Sequence, residues 1–120
     1  EVSLGAGYAT LTNMVAGQDA TSSITVNVLV SHGNTWSVTA SDGKTQYKGY
    51  MVSGTTSLKN PFQLGKDGDT YKPLTADYTS FMSGSTMGSF SASANLKQTI
   101  DEGDAAGDYI ITVTFTGECS

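Results

Sequence analysis

Apolar and polar residues alternate with a period of two over much of this chain. The clearest stretches are ITVNVLV at 24–30, WSVTA at 36–40 and FSASANL at 90–96. Side chains two residues apart lie on the same face of a β-strand, so each stretch predicts a strand with one buried and one exposed face. No window keeps apolar residues at helical spacing over three turns between capping residues. The pattern therefore predicts an all-β protein.

The turn residues between these stretches indicate how the strands connect. Gly, Asp and Asn separate short strands at near-regular spacing, which favours an antiparallel β-sandwich. The sequence SHGN at 31–34 predicts a tight hairpin between the strands on either side of it. The Ser- and Gly-rich stretch 79–94 is interpreted as a loop that leads into a strand. We expect one sandwich domain, residues 17–120, preceded by an N-terminal arm, residues 1–16.

The N-terminal arm differs from the rest of the chain in its small side chains. Its alternating face consists of Val2, Leu4, Ala6 and Tyr8, separated by Ser and Gly. Glycine inside a strand often marks the close approach of another backbone. Three interpretations stay open. The arm is the first strand of its own sandwich, a donor strand that completes the sheet of a neighbouring subunit, or a disordered segment.

The last predicted strand, 109–116, is the counterpart of the arm in the donor-strand interpretation. Its apolar face contains Ile111, Val113 and Phe115, which we expect to line the floor of an acceptor groove. An open sheet edge there would present unpaired N–H and C=O groups that a neighbour's arm satisfies. Apolar burial would add about 25 cal/mol per Å² to such an interface. Head-to-tail contacts of this kind produce open filaments.

Composition and charge exclude two classes of partner. Charged residues make up 14% of the chain, all six cations are Lys, and the net charge is −5. An acidic chain without a basic patch is not suited to binding nucleic acid phosphates or anionic lipid. No apolar run approaches the length of a membrane span, roughly 20 residues, so we expect no membrane insertion of the mature chain. The start at Glu1 predicts removal of a leader and a secreted, extracellular or cell-surface location.

Two stretches resemble known families of surface proteins. In GDYIITVTF, the residues Gly107, Asp108, Tyr109, Thr112, Val113, Thr114 and Phe115 resemble the closing strand of spore-coat-U-like and pilin-like secreted proteins. In NTWSVTASDG, the residues Trp36, Val38 and Ala40 resemble a strand of WxL-type surface domains. The resemblance implies an immunoglobulin-like β-sandwich of about seven or eight strands, used in extracellular assembly and with no catalytic residues to carry over. An exchanged N-terminal strand is compatible with that fold.

The chain offers little for acid–base, nucleophilic or zinc chemistry. Its one histidine, His32, lies in the predicted hairpin turn, and no G-x-S-x-G elbow accompanies it. Its one cysteine, Cys119, lies next to the last residue and cannot form an internal disulfide. One His and one Cys fall short of a four-ligand zinc site. We therefore predict that the protein is not an enzyme and has no cofactor.

An acidic segment and a set of aromatic residues are weaker candidates for ligand binding. Asp101, Glu102, Asp104 and Asp108 form either a calcium site or a solvated acidic turn, and their spacing does not follow the EF-hand pattern. Aromatic rings that could stack on sugars are Trp36, Tyr47, Tyr50 and Tyr71. Trp36 shares the face of Val38 and Ala40, which predicts that it belongs to the core.

The sequence thus supports two hypotheses about function. The first is a structural subunit of an extracellular filament, pilus or surface matrix, a homopolymer assembled by donor-strand exchange of the N-terminal arm. The alternative is a secreted carbohydrate- or surface-binding module of the adhesin type, with a glycan or another cell-surface component as its partner.

Overall fold

The computed structural model describes residues 2–5, 15–31, 33, 35–67 and 70–119. These residues form ten strands. They form no helix, and therefore no helix long and apolar enough to cross a membrane. The strands are β1 (Val2–Gly5), β2 (Asp19–Val30), β3 (Trp36–Ser41), β4 (Val52–Ser53), β5 (Thr56–Ser57), β6 (Phe62–Lys66), β7 (Lys72–Pro73), β8 (Tyr78–Gly84), β9 (Gly88–Thr99) and β10 (Thr114–Cys119). The prediction of an all-β, antiparallel protein is confirmed. Three of the ten strands have two residues each.

The described strands form three antiparallel sheets. The largest has the order β1-β2-β9-β6-β7, the second has the order β10-β3-β8, and β4 and β5 form a separate two-stranded sheet. The pairing of β2 with β9 is the longest, running from Asp19 opposite Thr99 to Val30 opposite Gly88 with no shift of register. This ladder is the centre of the five-stranded sheet.

The five-stranded and three-stranded sheets contribute to one hydrophobic core. Alternate residues of β2, β3 and β9 are buried, as the period of two predicted. The largest fully buried apolar side chains are Phe81, Leu64 and Leu74, which lie in β8, in β6 and after β7. The buried cluster consists of Val26, Val28, Val30, Trp36, Val38, Ala40, Met51, Leu58, Phe62, Leu64, Leu74, Tyr78, Phe81, Met82, Ala92, Ala94, Leu96 and Ile100.

The predicted hairpin between β2 and β3 is wrong. The two strands lie in different sheets, because β2 pairs with β1 and β9 while β3 pairs with β10 and β8. The connection at 31–35 therefore passes from one sheet to the other. Two facing sheets bury the same alternating pattern that a hairpin in one sheet would bury, so the pattern cannot distinguish the two connections.

Two further strand predictions need correction. Residues 79–84, which the sequence predicted to be part of a loop, belong to strand β8 (Tyr78–Gly84). Its alternation is broken because Ser80 has a positive φ of 52° and the neighbours Phe81 and Met82 are both buried. The closing strand extends from Thr114 to Cys119, later than the predicted 109–116, and it lies at a sheet edge.

Candidate functional site

The N-terminal strand β1 is an edge strand of the five-stranded sheet. Its backbone pairs antiparallel with β2, with Val2 opposite Val30 and Leu4 opposite Val28. It also lies beside β10, the edge strand of the three-stranded sheet. We call the surface formed by β1, β2 and β10 the arm side. On this side, β1 is the strand through which the edges of the two sheets meet.

A long connection joins β1 to the rest of the chain. β1 ends at Gly5, opposite Asn27, whereas β2 begins at Asp19, eight positions further along that strand. Eight strand residues cover about 27 Å. The 13 residues from 6 to 18 can span up to about 45 Å when extended. The connection is therefore longer than β1 needs in order to pair with β2 of its own chain.

The three predicted acceptor residues lie at the margin of the core. Ile111, Val113 and Phe115 are partly buried and pack against the core cluster. Phe115 lies in β10 opposite Ala40, and its ring centroid is 5.4 Å from that of Phe81. Ile111 and Val113 lie in the segment before β10. Ile24 of β2 is likewise partly buried against the core.

The predicted donor residues are described in part. Val2 and Leu4 belong to β1, whose backbone pairs within the same chain. Ala6 and Tyr8 lie outside the described residues. The structure thus brings the start of the arm beside β10, the strand that contains Phe115. Whether a neighbour's arm takes this position stays a prediction.

The opposite surface, which we call the loop side, consists of β7, β8 and the connection 74–77 between them. β7 is an edge strand of two residues that contains Pro73, which has no backbone N–H to donate. β8 is the edge of the other sheet, and its pairing with β3 shifts register between Val38 and Ala40. A short strand, a proline and a bulge all hinder pairing with another chain.

The loop 42–50, between β3 and β4, packs on the loop side. The carboxylate of Asp42 is buried and accepts hydrogen bonds from the backbone N–H groups of Lys44 and Gly49, at 3.1 and 2.8 Å. The Lys44 Nζ lies 2.8 Å from Asp42 Oδ2 and donates to the Tyr50 carbonyl at 3.1 Å. Burial raises the pKa of Asp42, but these hydrogen bonds and the Lys44 charge outweigh burial and hold the pKa below its ordinary value.

Gly49 lets this loop approach the β7–β8 connection closely. Its φ of +86° is unfavourable for other residues, and an added Cβ would overlap the backbone of Leu74 and Thr75. Its carbonyl accepts a hydrogen bond from the Phe62 N–H at 2.8 Å. The structure places Gly49 in a turn. The long-range contacts of this loop carried no sequence signal that identified them.

The acidic segment uses its carboxylates to shape a turn. Asp104 accepts hydrogen bonds from the Lys59 and Asp101 backbone N–H groups, at 3.0 and 2.8 Å. The Asp101 carboxylate accepts from the Gly103 N–H at 2.8 Å and lies 3.2 Å from Lys59 Nζ. These contacts, the Gly103 bond first, lower the pKa of Asp101. Glu102 and Asp108 are exposed. Among the described residues, no three His, Cys, Asp or Glu side chains are grouped so as to hold a metal ion.

The start of β3 and the ends of β8 and β10 form a shallow, open depression. Its floor is Trp36, whose indole N–H donates to the Thr86 carbonyl at 3.0 Å. The ring lies so close to Gly84 that an added Cβ there would be 2.7 Å from the indole nitrogen. Cys119 is exposed at the rim of the depression. His32 lies outside the described residues, so the structure gives no position for it.

Comparison with known proteins adds no family to this description. No protein-family model, curated protein or solved structure matches this chain.

Proposed function

We propose that this protein is a structural subunit of an extracellular filament, pilus or surface matrix, and that it polymerises by exchange of its N-terminal strand. The observation that carries the proposal is the position of β1, a four-residue strand between β2 and β10 on the end of a 13-residue connection. The same position can be taken by the arm of a second copy. Strand addition of this kind combines main-chain hydrogen bonds with side-chain pockets.

Exchange would preserve the contacts of the single chain. A swapped arm would make the same pairing with β2, so little enthalpy separates the closed and exchanged forms. Because each subunit would donate its arm to one neighbour and accept an arm from another, the contacts would be head-to-tail. A rotation that does not close into a ring then produces a filament.

The register of β1 gives the proposed donor face a set of partners. Opposed residue numbers in the β1–β2 pair add up to 32, as in Val2 opposite Val30. In the proposed polymer, a donor strand that continues this register has Ala6 opposite Val26 and Tyr8 opposite Ile24. Ile111, Val113 and Phe115 supply the floor on the β10 side. We further propose that the two larger sheets form an immunoglobulin-like sandwich, which the exchanged strand completes.

A disulfide trap tests whether the arm passes between chains. Directly opposed residues of an antiparallel pair have Cα atoms about 4.5–5.5 Å apart, which a disulfide can bridge. In a Cys119→Ser background, Ser3→Cys and Leu29→Cys place one thiol in each strand of the pair. We expect the double variant to give a ladder of covalent multimers on a non-reducing gel. A mixture of the two single variants should give covalent dimers.

The matched control replaces Leu29→Cys by Thr21→Cys. Thr21 and Leu29 are both exposed residues of β2, but they lie eight residues apart, or about 27 Å. The control pair should give neither multimers nor an internal disulfide. If the Ser3/Leu29 double variant yields intrachain disulfides alone and the mixture yields no dimers, the arm belongs to its own chain and the proposal is wrong.

The alternative function is a secreted module that binds carbohydrate or another surface component. The prediction that Trp36 belongs to the core is confirmed, because 5% of its surface is exposed. A sugar-binding platform centred on Trp36 is therefore not supported.

A further inference from the structure

Three residues other than glycine have a left-handed backbone conformation in the described part of the chain. They are Tyr47, Asp67 and Ser80, with φ of 58°, 47° and 52°. This conformation is costly for most side chains and persists where surrounding contacts or a function require it. What stabilises the left-handed conformation at each of the three residues is therefore informative.

Features of the fold explain the left-handed conformation of Asp67 and Ser80. The Asp67 carboxylate accepts a hydrogen bond from the Ser93 N–H at 2.7 Å, and its own N–H donates to the Ser93 carbonyl at 3.0 Å. Ser80 lies in β8 next to the shift of register with β3. One conformation thus extends the pairing of β9, and the other accompanies a bulge that blocks a sheet edge.

No comparable feature of the described residues explains the left-handed conformation of Tyr47. Its side chain is 43% exposed, and within the described residues no hydrogen bond, ion pair or ring contact holds it. The carbonyl of Tyr47 accepts a bond from the Tyr50 N–H at 3.0 Å, which closes the turn without using the ring. Asn or Gly would adopt this conformation more readily. The fold therefore presents an aromatic ring to solvent at a position that disfavours it.

The base of the loop holds the backbone around Tyr47 in a defined place. Asp42 ties the start of the loop to Gly49, and Gly49 packs against the backbone of Leu74 and Thr75. The Lys44 ammonium joins the Asp42 carboxylate to the Tyr50 carbonyl. A ligand that stacks on Tyr47 would meet a backbone that is already ordered, so little ordering cost opposes binding.

The charges of the loop favour an uncharged ligand with many hydroxyl groups. Lys48 and Asp77 form an exposed pair at 3.0 Å, with side-chain exposures of 39% and 47%. Lys44 is paired with Asp42. Because both lysines of the loop already have a carboxylate partner, an anionic ligand would gain little from them. The exposed ammonium of Lys48, the residue after Tyr47, and the exposed carboxylate of Asp77 can instead donate to and accept from hydroxyl groups.

We propose that Tyr47 is a stacking platform for a pyranose ring of a neutral saccharide, and that Lys48 and Asp77 bind the hydroxyl groups of that ring. Tyrosine suits this role because it combines an apolar face with a polar tip. This site is independent of strand exchange, since it lies on the loop side and involves no residue of β1, β2 or β10.

Affinity electrophoresis tests the proposal on the full chain. Native gels are cast with galactomannan, hydroxyethyl cellulose or xylan as neutral probes, with polygalacturonate as an anionic probe, and without polysaccharide. We expect at least one neutral polymer to retard the protein. Tyr47→Ala should weaken that binding about tenfold, whereas Tyr47→Phe should retain it. Tyr71→Ala is the matched control, because the Tyr71 ring is partly buried with Lys97 Nζ at 5.2 Å.

Each other outcome overturns the proposal. These outcomes are no retardation in any neutral gel, retardation by polygalacturonate alone, and retardation that Tyr47→Ala leaves unchanged. A change of sedimentation coefficient in Tyr47→Ala would assign the ring to a contact between copies instead. Tyr47→Asn guards against misfolding: it should melt at the same or a higher temperature than the parent and still lose retardation.

Discussion

The edge strands of the two larger sheets are joined in different ways on the two sides of this molecule. On the loop side, the chain itself crosses between the sheets at 74–77, and the loop 42–50 packs over that crossing through Gly49. On the arm side, the link is β1, a strand of four residues held by pairing with β2 and by contact with β10. The two edge strands are joined directly by the chain on the loop side, whereas on the arm side they are joined by non-covalent contacts that a second chain could also make.

The edge strands of the two sides also differ in how readily they could pair with another chain. The loop side ends in β7, with Lys72 and Pro73, and in β8, with its bulge near Ser80. Natural sheets use these features to prevent association. β2 and β10 pair with their neighbours without a shift of register. This contrast is a reason to propose the arm side as the surface for assembly, and it suggests experiments that perturb one side while the other serves as the reference.

The largest effect is expected from deletion of residues 1–12. This change removes β1 and leaves the edge of β2 without its pairing partner. We expect assembly to be lost and the monomer to melt at a lower temperature or become insoluble. Electron microscopy and thermal unfolding of the truncated and full-length proteins measure the two effects.

Peptide addition separates loss of the arm from general damage. A synthetic peptide of residues 1–12 should raise the melting temperature of the truncated protein, and a scrambled peptide should not, because ligand that binds the folded state stabilises it. Truncated and full-length proteins that are both stable monomers of equal melting temperature would contradict the interpretation of the arm side.

The next largest effect is expected from Gly49→Ala on the loop side. The new Cβ would overlap the backbone of Leu74 and Thr75, at a φ that alanine disfavours. We expect a loss of about 3 kcal/mol in the free energy of unfolding, measured in urea. Gly43→Ala is the matched control, because an added Cβ there meets no atom within 4 Å. Equal stabilities of the two variants would show that the loop does not hold the β7–β8 crossing.

The sequence predicted the two sides to different degrees. Alternation identified most of β2, β3 and β9, because a period of two is the direct result of burying one strand face. Alternation also indicated the N-terminal strand. It failed for β8, where the positive φ of Ser80 places two consecutive buried residues in the strand. It also gave no information about which sheet a strand joins.

The geometry of the loop side could not be predicted from local patterns. The bond between Lys48 and Asp77 joins residues 29 apart, and the packing of Gly49 on Leu74 joins residues 25 apart. No periodicity encodes such contacts, because they depend on how the sheets are arranged. The sequence named Tyr47 as one of four aromatic residues that could stack on sugars, but its backbone conformation and the contacts at the base of its loop came from the structure.

The smallest of the expected effects concerns the buried carboxylate at the base of the loop. In Asp42→Asn, the amide has one acceptor oxygen, so its NH₂ group must face either the Lys44 ammonium together with the Gly49 N–H, or the backbone N–H of Lys44. We expect the free energy of unfolding to fall by about 2 kcal/mol at neutral pH, less than for a fully buried pair because Lys44 is partly exposed. Asp77→Asn, in an exposed pair, is the control and should change stability little.

The pH dependence of the same variant identifies the charge as the cause. The folded state holds the pKa of Asp42 below its ordinary value, so the unfolded chain takes up a proton first as the pH falls. The stabilisation is therefore complete above about pH 4, the ordinary range of an aspartate, and is lost on further acidification. Urea unfolding at pH 7 and pH 3 should show a smaller difference for Asp42→Asn than for the parent. An equal difference would mean that the carboxylate charge does not stabilise the loop, and the rigid base assigned to Tyr47 would then rest on Gly49 alone.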